Sequence, residues 1–453
     1  MLAQALADTL KRRGIHYAWF VAFICFLTML TSSAALGLPG VLLRPLGKEY
    51  GWDVEQISSA LALRFALYGL MGPFAALFID RYGLRKVIST ALVLVCTGML
   101  LALPMTSLWQ LVVLWGLVLG LGSGLTALVL GAIVASRWFE ARRGLVIGML
   151  TASTATGQLV FLPGAAWLVE HYGWRASIAP VCLFAALVIT LALLFMRDRP
   201  EDLGLIAYGA DPGSVAAAPA APAAAPADSA ARRHAPLTAP LQALRELRGN
   251  RTFWILFATF FICGLSTNGL IQTHFITLCG DFGLSPVPAA SVLAMMGAFD
   301  LCGTIFSGWL SDRYDSRKLL FWYYGLRGLS LFWLPHSQFT FYGLSIFALF
   351  YGLDWVATVP PTVRLAGAAF GKERAGMAFG WIFAGHQLGA ATAAYGAGAT
   401  RSLLLTYVPA LYAAGTACLI AALIALAIRR PGAGAPVAGA APGPAGAAAA
   451  QHP

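Results

Sequence analysis

Three residues able to exchange a proton, and one able to hold an anion, lie inside stretches otherwise suited to hydrocarbon. Asp300 sits within MMGAFDLCGTIFSG, Asp354 ends FALFYGLD, His386 and Gln387 follow GWIFAG, and Arg64 interrupts SSALALRFALYGL. A carboxyl or an imidazole in such surroundings can take up and release a proton, and a guanidinium can grip a carboxylate at two points. Ionisable groups inside membrane spans are costly and are functional candidates by default. Asp300, Asp354 and His386 are therefore expected to handle protons, and Arg64 to contact an anionic ligand. Interhelical hydrogen bonding is the structural alternative for the first three, and snorkelling to a membrane surface is the alternative for Arg64. Gln158, Asn268, Gln272 and Gln387 complete the substrate-binding candidates; Asn268 and Gln272, four apart, share a helix face.

The elements that must carry these groups are apolar runs long enough to cross a bilayer. The chain has 453 residues, 59% of them hydrophobic and 11% charged, where soluble domains carry roughly 25% charged residues. Twelve segments can be marked, at about 17–42, 56–79, 87–104, 109–136, 144–168, 175–197, 252–278, 288–311, 319–335, 338–364, 375–400 and 403–428. The alternating pattern of a transmembrane β-barrel is absent. An N-terminal segment, 1–14, precedes a half spanning 15–197, and a cytoplasmic linker, 198–250, leads to a second half at 251–430. Residues 215–231 are almost wholly Ala and Pro and are expected to be disordered, as is the tail, 431–453. Residues 241–251 have the pattern of a short amphipathic helix.

The halves repeat. Asp80–Lys86 reads DRYGLRK and Asp312–Lys318 reads DRYDSRK, 232 residues later, each in a short loop between two apolar segments. Arg142, Gly144 and Gly148 recur at the same offset as Arg374, Gly376 and Gly380. With the N-terminus inside, about 23 Lys and Arg fall on the cytoplasmic side and about 4 outside. The net charge of +11 therefore reports topology rather than nucleic-acid binding. The seven cysteines show neither a disulfide framework nor metal-ligand spacing. There is no phosphate-cradling Gly-Lys loop and no catalytic triad, so no cofactor and no enzymatic activity are expected.

The paired hairpins resemble the signature of the major facilitator superfamily. The first carries Asp80, Arg81, Gly83, Arg85 and Lys86, with Ala76 in place of a glycine and Leu84 inserted. The second carries Gly308, Asp312, Arg313, Arg317 and Lys318, with Asp315 in place of the inner glycine. The resemblance implies an all-α polytopic membrane protein with twelve transmembrane helices in two pseudo-symmetric six-helix halves, working by alternating access. These charged residues would then gate the cytoplasmic side. The stretches 51–83, 137–158 and 295–313 are similar to the bacterial monocarboxylate-transporter-like and oxalate/formate-antiporter-like branch. Asp300 matches an aspartate that animal monocarboxylate transporters pair with an arginine, whereas Thr304 stands where that arginine would be, and HYAWF replaces that family's acidic first-helix start. The expectation is a monomeric secondary transporter of the bacterial inner membrane, both termini cytoplasmic. It would move a small organic anion, a monocarboxylate, together with a proton. Efflux of hydrophobic compounds, and a transporter-like sensor that binds solute without moving it, stay open beside that reading.

Overall fold

The computed structural model describes residues 2–210 and 236–428. The Ala/Pro-rich linker core and the C-terminal tail lie outside them. In hydrocarbon each backbone polar group must be satisfied within its own segment, so apolar runs of this length form helices. The long segments are α1 (Tyr17–Tyr50), α2 (Val54–Tyr82), α3 (Leu84–Leu100), α4 (Leu108–Trp138), α5 (Arg143–Tyr172), α6 (Trp174–Phe195), α7 (Arg251–Asp281), α8 (Pro286–Arg313), α9 (Ser316–Trp333), α10 (Phe341–Gly371), α11 (372–404) and α12 (Val408–Leu426). Eight of these are long and apolar enough to cross a membrane by themselves; α3, α5, α9 and α11 supply the other segments marked in the sequence. Separate helices at Leu2–Arg12 and Ala239–Leu247 flank the two halves, the latter overlapping the amphipathic stretch expected at 241–251.

Local chemistry shapes the helices where the site will lie. α10 loses regular geometry after Asp354 and resumes at Val359, with Pro360 and Pro361 in the first turn of the resumed helix. Proline fits there because first-turn N–H groups have no intrahelical partner. Gly371, at φ 75°, then cuts α10 from α11. α4 and α7 each contain a widened π-helical stretch, at Val112–Val118 and Leu265–Gln272. On α4, Gly116, Gly120 and Gly124 lie against α2; a Cβ on Gly120 would come within 3.1 Å of the Arg64 backbone. These glycines let α2 and α4 approach closely.

The two repeated hairpins mark one end of the molecule, and their chemistry differs in an instructive way. Gly83 adopts φ 87°, and Asp198, from the start of the linker, accepts from Leu84 N at 2.6 Å to cap α3. A Cβ on Gly83 would collide with that carboxylate. In the second hairpin Asp315 caps α9 itself, accepting from Arg317 N at 3.0 Å and pairing with its guanidinium at 2.6 Å. The substitution of aspartate for glycine thus exchanges a cap borrowed from the linker for a built-in one. The linker also returns to the first half at Tyr208, whose N donates to Trp138 O at 2.8 Å.

Candidate functional site

The two halves enclose a central cavity of about 120 Å³. Asn268 and Gln272 reach it from the π-helical stretch of α7, and His386 and Gln387 from α11. Widening to π geometry keeps residues 268 and 272 on the cavity side, and such stretches recur at functional sites. Gln387 Oε1 and His386 Nδ1 have no hydrogen-bond partner in the protein. Opposite them the first half contributes Ser32, bonded to Thr126 Oγ1 at 2.6 Å, and Tyr68. The hydroxyls of α1, α4 and α5 were not anticipated, because Ser and Thr occur on every face of these helices. Tyr68, Phe260, Trp355 and Phe383 add aromatic wall. The side chain of Gln158 lies outside the described residues.

Arg64 neither lines this cavity nor snorkels to a surface. Its residue is 1% exposed, its guanidinium rests over the Phe65 ring at 4.9 Å, and its Nε and Nη1 have no hydrogen-bond partner. It lies four residues from Tyr68 on α2, one turn from the cavity wall.

Sequence reasoning grouped Asp300, Asp354 and His386, and the structure separates them. Only His386 lines the cavity. The two aspartates stand behind its wall, where they hold the break in α10. Asp300 Oδ1 accepts from Val356 N at 2.9 Å and from Thr304 Oγ1 at 2.9 Å, so the threonine found in place of an arginine serves the aspartate directly. Ser307 donates to Ala357 O at 2.5 Å. Arg327 of α9 is wholly buried: it pairs with Asp354 Oδ2 at 2.7 Å and donates to Asp354 O and, at 3.2 Å, to Trp355 O. It also donates to Cys263 Sγ at 2.9 Å. Thus the groups freed by the break are satisfied by side chains from α8 and α9, as a membrane interior requires. Trp355 and Val356, held in this way, form part of the cavity wall.

At the hairpin end the carboxylates of the repeat bond inside their own halves rather than across to the other. Asp80 pairs with Arg137 of α4, and Asp312 with Arg364 of α10 at 2.9 Å. The second pair is largely exposed and contributes little to stability. Arg81, Arg85, Lys86, Arg313 and Lys318 are exposed, with Arg313 lying over Trp309 at 4.2 Å. Gly308 faces open space.

The opposite end carries a latch that was not foreseen, since its members look like isolated charges at segment ends. Asp281 of α7 accepts from Arg44 of α1 at 2.7 Å and from Arg401 of α11 at 2.7 Å. Among the described residues Arg44–Asp281 is the one ion pair that joins the halves. Nearby, Tyr395 of α11 donates to Glu55 Oε1 of α2 at 2.6 Å, a second contact between the halves. Asp281→Asn is expected to raise amide hydrogen exchange several-fold in 39–50 and 273–281, because about 1 kcal/mol from a shared carboxylate changes an opening equilibrium about fivefold. Exchange there equal to that of the parent protein would show that the latch holds nothing.

A lipid-facing shell of helices in two halves, with a small cavity between them, is the arrangement of a polytopic membrane protein with an internal binding site. The comparisons agree. The Major Facilitator Superfamily model matches residues 19–394, and the chain belongs to that family; it is a multi-pass membrane transporter and not an enzyme. It is 24% identical to an uncharacterized MFS-type transporter, YcxA, of Bacillus subtilis, over 85% of this chain and 89% of that protein. It is 27% identical to monocarboxylate transporter 13 of Bos taurus, over 68% of this chain and 65% of that protein. Its fold resembles a D-xylose-proton symporter, with TM-score 0.70 and 15% identity, over 92% of this chain and 98% of that one.

Proposed function

We propose that the protein carries a small organic anion, a monocarboxylate, across a bacterial inner membrane together with a proton. It would work as a monomer with the hairpin end and both termini in the cytoplasm. The observation that carries the anion is Arg64: a buried guanidinium with two partnerless nitrogens is expensive, and a carboxylate arriving from the adjoining cavity would satisfy it. Similarity to the bovine monocarboxylate transporter supports the same substrate class. In this reading Gln387, Asn268 and Gln272 orient the substrate, and Gln158 joins them from α5. His386, an imidazole on the cavity wall beside Cys263, takes the proton. Asp300 and Asp354 act on the cavity indirectly: protonation of Asp300 would weaken its charge-assisted acceptance from Val356 N and loosen the wall. The charged hairpins would close the cytoplasmic side in the outward-facing state.

A second reading has its own support. Among the described residues no Lys or Arg lines the cavity and four aromatic side chains (Tyr68, Phe260, Trp355 and Phe383) do, which favours export of a hydrophobic compound. Proteoliposomes holding the purified protein separate the two. Saturable uptake of at least one labelled monocarboxylate, accelerated by an inward acid gradient, is the expected result. Folded protein that moves no carboxylate would remove the substrate assignment, and binding without flux would make the protein a sensor.

A further inference from the structure

On the membrane face of the second half, α8, α9 and α10 leave a groove of about 610 Å³, separate from the central cavity. Its rim is apolar and open: Phe306, Leu326, Leu329 and Phe350 are all more than half exposed, which in a membrane-spanning helix means contact with lipid. Its floor is not apolar. Asp354 lines it, only 6% exposed, and while Oδ2 is occupied by Arg327, Oδ1 has no hydrogen-bond partner. The volume is that of a small-molecule pocket, and the pattern of apolar walls with a few placed polar groups, Asp354 and the Tyr323 hydroxyl foremost, is that of a ligand site.

We propose that this groove binds an apolar molecule bearing a hydroxyl group, which enters sideways from the lipid phase and donates its O–H to Asp354 Oδ1. The local charges select the head group. Arg327 already neutralises Asp354, so an ammonium would meet an adjacent guanidinium at 2.7 Å from the same carboxylate. A carboxylate head would be repelled by Asp354, and a bare acyl chain offers no donor. A hydroxyl satisfies the free oxygen without adding charge. The occupant would touch the residue at which α10 breaks and from which Trp355 and Val356 enter the cavity wall, so the groove links the lipid phase to the central cavity. The site does not depend on the identity of the transported substrate.

The test uses the full chain in lipid nanodiscs with a diazirine-bearing octanol as photoprobe, the labelled residues being mapped by mass spectrometry. Label is expected to concentrate on Tyr323, Leu326 and Leu353. It should fall at least fivefold with excess 1-nonanol but not with nonane or nonylamine. Leu326→Trp, which fills the groove from its lipid side without touching Asp354, should abolish labelling of Tyr323 and Leu353; Leu329→Trp serves if the first variant does not fold. Label spread evenly over the lipid-facing helices and indifferent to either variant would mean bulk lipid only and overturn the site. Equal competition by nonane or nonylamine would overturn the assignment of a hydroxyl held by Asp354.

Discussion

Arg327→Met is expected to destabilise the protein by about 3–5 kcal/mol, read as a large fall in thermal unfolding temperature in detergent. The guanidinium is wholly buried and makes four bonds in one place: to Asp354 Oδ2, to the carbonyls of Asp354 and Trp355, and to Cys263 Sγ. Methionine keeps most of the volume but leaves a buried carboxylate with no counter-charge and two carbonyls of a broken helix unsatisfied. Lysine should restore little, because a single ammonium cannot serve a carboxylate, two carbonyls and a thiol arranged around a planar fork. The cost lies in the stranded partners, so the double variant Arg327→Met, Asp354→Leu should recover part of the loss. A single variant within 1 kcal/mol of the parent, or a double variant no better than the single, would show that the pair does not hold the break in α10.

Much of this architecture was legible in the sequence, and the illegible part has a common physical cause. Twelve apolar segments and a charged repeat define the two halves, and helices stand at every marked segment. Polar residues in apolar runs, Asn268, Gln272, His386 and Gln387, did converge on the cavity. Sequence gives a residue's depth along a helix but not the direction it faces. In a bundle whose helices touch lipid, a neighbour and the cavity, several faces are apolar, so no hydrophobic stripe fixes the rotation. Hence Arg64, Asp300 and Asp354 have plausible depths and yet none lines the cavity. The break in α10 had a signal in Pro360 and Pro361, which mark where a helix restarts. The groups that heal it come from Asp300, Ser307 and Arg327, distant in the chain and visible only in three dimensions. The same holds for Asp198, whose cap on α3 explains why the first hairpin keeps a glycine where the second has Asp315.

Arg64→Met is expected to do the reverse of Arg327→Met: to leave stability unchanged or raise it while abolishing carboxylate transport. Both guanidiniums are buried, but Arg327 is fully engaged and Arg64 has two nitrogens without partners. Removing the first strands other groups, whereas removing the second takes away a desolvated charge and strands nothing. On the proposed reading, loss of a charge-assisted bond to the carboxylate should lower uptake at least tenfold, equivalent to about 1.4 kcal/mol. Arg64→Lys should retain a small fraction, since its point charge cannot engage a carboxylate through two nitrogens. Uptake by Arg64→Met at the parent rate would remove Arg64 from the site, and a collapse in unfolding temperature would make it a structural residue. The contrast bears on how a carrier works. A permanent counter-ion such as Asp354 would stabilise Arg64 but would compete with every substrate anion and slow its release. A cationic site that must load and unload in each cycle can be left unsatisfied by its own protein, provided that fully paired groups elsewhere in the fold, such as Arg327, supply enough stability to bear the cost.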